Sequence, residues 1–278
     1  YLDAGENPPR GAIVAYTLAE APAEPISLIF KNANGEEMRT LTSRTADDPV
    51  KAKELRAPAR AGGNRFIWDL RRSPITKIEG ADPIAEEALP GPFVPPGTYS
   101  VTLKIGEHEQ SQSFNVLKPA DVDTPQGDLE AQYDLAMRIH DQLDLTVKTI
   151  NRMRDLRAQL DGLAKRTKER DGAAEVSSEA TSLKERVLEL EKQLEVPDLR
   201  SGWADRINNG IRLFEKLASL MNDVELGDYR PTDAAQEHFT DLKSRIDKVI
   251  ADFDALVAGE LAAFNAKAAE AKLPATIA

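Results

Sequence analysis

A chain of 278 residues is long enough for about two domains, and 41% hydrophobic with 30% charged residues suits exposed helices better than one large globule. A formal net charge of −11 sets the chain against nucleic acid and anionic membranes as partners, and the lack of cysteine excludes disulfides, thiolate catalysis and cysteine-based zinc sites. No stretch approaches the roughly 18 uninterrupted apolar residues of a membrane span, and a chain that begins at Tyr1 without a signal peptide reads as a fragment or processed product.

Asn7-Pro8-Pro9-Arg10-Gly11 is an opening loop, because its two prolines have no N–H to donate. Ala12 to Leu18 and Ile26 to Phe30 are predicted strands. Asn34-Gly35 is a hairpin signal, since both residues tolerate positive φ, and Glu37 to Leu41 pairs back. Residues 43–61 are polar, carry Pro49 and Pro58, and read as a long loop. Gly62-Gly63 launches the next strand, in which Phe66 and Trp68 share one face. Ser73 to Pro96 is a second long connection, dense in proline, that reads either as an insertion at the end of a β-domain or as a binding loop. Pro95-Pro96-Gly97 launches a strand in which Tyr99, Val101, Leu103 and Ile105 alternate with polar residues. Gly106-Glu107 turns the chain, and Gln110 to Val116 returns. Six or seven short strands in about 110 residues predict a fibronectin- or immunoglobulin-like β-sandwich over residues 1–118.

Residues 119–127 are a linker. Asp121, Asp123 and Asp128 invite a calcium reading, but Pro125 stands at a ligand position of the calcium-loop pattern and the distal Glu is missing. An acidic approach to a helix N-terminus, with Asp128 as cap, is the simpler reading. Residues 128–278 are predicted to form a long antiparallel helical bundle. Leu129, Tyr133, Ala136, Ile139, Leu143, Val147, Ile150, Met153, Leu160 and Leu163 make one apolar stripe of about 60 Å, which Asp171-Gly172 ends. Val176, Ala180, Leu183, Val187, Leu190 and Leu194 make a second helix with near-heptad spacing, stopped by Pro197. Trp203, Ile207, Ile211, Phe214, Leu217, Met221 and Val224 make a third. Thr232 caps a fourth, which carries Phe239 to Phe264 on its apolar face and ends at Pro274. The middle pair reverses, giving four antiparallel helices, or continues in one direction as the broken middle rod of a three-helix bundle; the four-helix arrangement is the expected one.

The chain lacks a nucleophile elbow, a phosphate loop and a dinucleotide fingerprint, so no catalytic or cofactor-binding residue is assigned and no cofactor is expected. His108, His140 and His238 have no second ligand at metal spacing. Glu185, Glu189 and Glu191, beside Lys184, Arg186 and Lys192, read as carboxylates of a solvated helix face. Arg65, Arg71 and Arg72 around Trp68 form the candidate ligand or partner surface, a cationic and aromatic patch suited to a sugar or an acidic polymer. The alternative is a core tryptophan with arginines covering the strand ends.

Asn7-Pro8-Pro9-Arg10-Gly11-Ala12, Gly63-Asn64-Arg65-Phe66-Ile67-Trp68-Asp69-Leu70-Arg71 and Gly91-Pro92-Phe93-Val94-Pro95-Pro96-Gly97-Thr98-Tyr99 resemble the C-terminal region of large bacterial proteins with BNR/sortilin-like β-propellers, often labelled glycosyl hydrolase or sialidase-like. Pro231-Thr232 and the Phe264-Asn265 to Pro274 tail are similar to that family's helical end. The Trp-Asp and Pro-Pro-Gly-Thr-Tyr pieces also resemble the fibronectin-like module of flagellar hook-cap proteins. The family resemblance implies propeller domains preceding Tyr1, an exported parent and a periplasmic or extracellular setting. It carries no catalytic residue onto this chain. The expectation is a non-catalytic accessory module acting as spacer, docking or dimerisation surface, with the preceding propellers, a second copy through the helices, or a glycan as partner. A carbohydrate-binding module assisting a glycoside hydrolase is the alternative.

Overall fold

The computed structural model describes residues 5, 9–44, 55–79, 89–168, 174–197, 210–271 and 276. They form a mixed α+β chain with six strands in two antiparallel sheets and four helical runs. Two compact units result, the first of residues 1–73, 90–133 and 228–230, the second of residues 74–89, 134–227 and 231–278. These cut across the boundary drawn from the sequence: the division falls inside the first helix, between Tyr133 and Asp134, and residues 74–79 and Leu89 belong with the helices.

In the first unit β1 (Ala12–Leu18) pairs with β4 (Gly62–Trp68), and β2 (Ile26–Asn32), β3 (Glu37–Thr42), β5 (Gly97–Ile105) and β6 (His108–Val116) form a second sheet in the order β3-β2-β5-β6. The local turn signals act as expected. Gly35 has φ 79°, and the Asn32 side chain accepts from the backbone N–H of Asn34 and of Glu36, which satisfies the turn's orphan donors. Gly106, at φ 54°, closes the β5–β6 hairpin. Alternate residues point inward, so Ile26, Leu28 and Phe30 of β2, Phe66 and Trp68 of β4, and Tyr99 and Val101 of β5 meet in one core shared by both sheets. Trp68 is fully enclosed: its ring stacks on Phe30 at 4.5 Å and meets Tyr99 and Phe114 edge-on at 5.8 and 6.2 Å.

The chain leaves β4 through a tightly held corner. The Asp69 carboxylate accepts from the Arg71 N–H at 3.2 Å and from Arg39 at 2.8 and 3.0 Å. That brace holds Leu70 at φ 60°, a conformation most L-residues avoid, while Val94 N–H donates to Leu70 O at 2.8 Å. Gly91 passes directly over the strand end, where an added Cβ would collide with the carbonyl oxygens of Arg72 and Ser73. These are backbone atoms of a pinned segment, so Gly91→Ala is expected to cost about 1–3 kcal/mol, read as a lowered urea midpoint at unchanged slope.

In the second unit α1 (Gln126–Thr167), which starts within the first unit, carries the long stripe, and Ile139, Leu143, Val147, Ile150, Met153 and Leu160 are all buried. Its first turn begins two residues before Asp128, so Asp128 lies inside the helix rather than capping it, and it accepts from Arg230 at 3.2 Å. The second helix, α2, spans Ala174–Leu194, and the third, α3, spans Leu213–Val224. Ile211 precedes α3 and is exposed, contrary to the expected stripe. Trp203, Ile207, Asp171-Gly172 and Pro274 lie outside the described residues. The last helix, α4 (Asp233–Leu256), is capped by Thr232, whose hydroxyl accepts from Ala235 N–H at 3.1 Å. It continues through a π turn (Val257–Leu261) into α5 (Ala262–Glu270).

Cross-helix pairs give the directions. Arg138 reaches Gln236, Gln142 reaches Asp247 and Arg152 reaches Asp254, so partners advance together and α1 and α4 run parallel. Lys184 with Asp161 and Arg154 with Glu191 place α2 antiparallel to α1. Arg186 with Glu260 and Lys267 with Glu179 place α2 antiparallel to the α4–α5 run.

Residues 74–79 lie along α1, which corrects the reading of this connection as part of the β-domain. Ile75 and Ile78 are buried in the helical core. Thr76 N–H donates to Asp144 at 2.7 Å, and the Asn151 amide both accepts from Glu79 N–H at 2.9 Å and donates to Lys77 O at 2.8 Å. Three of the strap's backbone polar groups are thereby satisfied while its two isoleucines are removed from water.

Candidate functional site

At the end of β4 the four residues expected to share one surface are placed differently. Trp68 has 0% exposure and its Nε1–H donates to Arg71 O at 3.0 Å, so its ring cannot stack on a ligand. Arg71 donates to Gly91 O at 2.8 Å and lies over the Phe93 ring, 3.4 Å from the centroid. Arg72 donates to Glu36 at 2.9 Å and to Glu37 O at 2.9 Å. Arg65 alone of the four is exposed to solvent. Trp68 is thus a core residue, and the Arg71 and Arg72 guanidinium groups are tied to neighbouring backbone and carboxylate groups.

The concentrated ionisable chemistry lies in the helical unit. Glu191, read from the sequence as a solvated-face carboxylate, is fully buried, and Glu195 is nearly so. Arg154 Nε donates to both Glu191 and Glu195 at 3.1 Å, and Arg154 Nη2 donates to Glu195 at 2.7 Å. Arg157 Nη1 pairs with the other Glu191 oxygen. Arg154 Nη1 also donates to Glu79 O at 2.6 Å, tying the strap to the same point. Arg157 Nε is buried without an acceptor among the described residues. Burial, set against an attraction to Arg154 that two carboxylates must share, and reinforced by the neighbouring Glu191, pushes the Glu195 carboxyl up from 4.5 to about 7.

Helix geometry explains why Glu191 turns inward. At 3.6 residues per turn, position 191 lies about 40° from Val187 around the helix and position 190 about 60° away. Glu191 therefore sits closer to the seam than Leu190, which is half-buried. The signal available in the sequence was a matched pair of spacings, Arg154 and Arg157 on the flank of one stripe and Glu191 and Glu195 on the flank of another.

An open groove of about 800 Å³ lies along α2 and the α4–π-turn run, and Leu188, Leu190, Leu256, Glu185, Arg186 and Glu260 are among the residues that line it. His140 pairs with Asp141 at 3.2 Å, while His108 and His238 are exposed. Among the described residues no three His, Asp or Glu side chains come together as a metal site, and no helix is long and apolar enough to cross a membrane. No protein-family model, curated protein or solved structure matches the chain.

Proposed function

We propose that this chain is a non-catalytic interaction module, a fibronectin- or immunoglobulin-like two-sheet head and a helical rod that serves as spacer and docking surface in a larger exported protein. In this reading α2 and α3 run on in one direction as the broken middle of the rod. The observation that supports it is the internal use of Trp68, Arg71 and Arg72 in the head and of the buried charges in the rod. Trp68 is sealed in the head's own core, Arg71 and Arg72 are tied to its strand ends, and Glu191 and Glu195 are joined to Arg154 inside the rod. The resemblance of the Asn-Pro-Pro-Arg-Gly, Phe-Ile-Trp-Asp-Leu-Arg and Pro-Pro-Gly-Thr-Tyr pieces supports preceding β-propeller domains as the natural partner and a periplasmic or extracellular setting.

Glycan binding through the head would need an open aromatic face. Phe93 is 49% exposed, but the Arg71 guanidinium covers its ring. The test has two arms. Chromogenic glycosides incubated with the chain are expected to show no turnover, and coding sequence upstream of Tyr1 is expected to specify propeller repeats. Hydrolysis that tracks the purified chain would overturn the non-catalytic reading, and an unrelated upstream sequence would remove the propeller partner.

A further inference from the structure

We propose that Glu191 and Glu195 form a proton-operated latch that clamps the C-terminal turn of α2 against α1, tight while the pair holds one proton and loosened when that proton leaves. The geometry is a closed quartet. Facing Glu195 are Arg154 from α1 and Glu191 from α2; Arg154 also reaches the carbonyl of Pro197 at 3.5 Å and that of Glu79 in the strap. Arg157, also from α1, reaches Glu191. Glu191 therefore has two guanidinium partners, whereas Glu195 shares one guanidinium with a carboxylate and two carbonyls. A proton on Glu195 lets its O–H donate to Glu191 and removes the second negative charge from a dry site. Without the proton, two carboxylates converge on the same Arg154 Nε, which is costly where water cannot screen them.

The latch acts at a structural junction. Glu195 lies one residue beyond the end of α2, and Arg154 gathers the strap, α1 and α2 at one point. Loosening it would fray the last turn of α2 and release Pro197. The sign follows from the Glu195 carboxyl standing at about 7 in the fold against 4.5 for an ordinary glutamate. Between those values the folded chain holds a proton that the unfolded chain has lost. The added stability is complete below about pH 4.5 and is lost as pH rises through 7.

Glu195→Gln keeps a donor toward Glu191 and cannot ionise. The ratio of the wild-type unfolding constant to that of Glu195→Gln, from urea titrations between about pH 4.5 and 8, is expected to rise on the order of a hundredfold with pH. In the infrared spectrum of the wild type, the carbonyl stretch of one protonated carboxyl is expected to persist at about pH 6 and to vanish through about pH 7–8, as that carboxyl's raised affinity for its proton requires. A flat ratio, or loss of all protonated carboxyl signal near the ordinary glutamate range, overturns the latch. Should Glu195→Gln fail to fold, the wild-type infrared titration decides alone.

Discussion

Trp68→Ala is expected to destabilise the first unit by about 3–5 kcal/mol, the range for deleting a large aromatic side chain from a packed core. The indole has 0% exposure, stacks on Phe30 and contacts Tyr99 and Phe114, so its removal opens a cavity between β-sheets that cannot close without moving all three rings. It also deprives Arg71 O of the Nε1–H bond that helps hold the corner after β4. Trp68→Phe keeps the stack and loses the hydrogen bond and part of the volume, and so should cost well under half as much. Guanidinium titration followed by circular dichroism measures both. A Trp68→Ala chain with wild-type stability would refute the core role and restore the residue as a candidate binding surface.

Arg154→Met has a comparable expected cost, about 3–5 kcal/mol, because breaking a buried ion pair leaves the partner's charge uncompensated. Glu195 loses its side-chain cation, Glu191 keeps Arg157, and the Glu79 carbonyl loses its donor. The loss should be smaller at pH 5 than at pH 8, since at pH 5 Glu195 already holds its proton and leaves no second negative charge for Arg154 to compensate. Adding Glu195→Leu to Arg154→Met should recover a large part of the loss, since replacing both members of a buried pair with apolar groups is often neutral or stabilising. Urea denaturation of the two single variants and the double variant closes the cycle. A double variant as unstable as the sum of the singles would show that the two residues do not act as a pair.

Much of the secondary structure was legible because its causes are local. Alternation over two residues places Tyr99 and Val101 inward, Asn34-Gly35 supplies the positive φ its turn needs, and Thr232 offers an oxygen to the N–H three residues on. The enclosure of Trp68 was not legible, for a reason equally physical. Period two puts Phe66 and Trp68 on one face without saying which face is covered, and that depends on β2 and β5, which approach from distant parts of the chain. The strap of residues 74–79 was read as a β-domain loop because its partners, Asp144 and Asn151, lie about 70 residues away.

The sequence by itself determined the six strands, most of the apolar residues of the described helices, with Ile211 and Glu191 as exceptions, and that the chain combines a β-rich first half with a helical second half, because periodicity, capping and turn chemistry act over a few residues. Only the tertiary structure decided that α4 runs parallel to α1, that Trp68 is enclosed, and that Glu191 faces two arginines instead of water. Direction, burial and charge pairing depend on which surfaces meet, and a helix carrying both Leu190 and Glu191 near its seam is neutral between them until α1 presents Arg154 and Arg157.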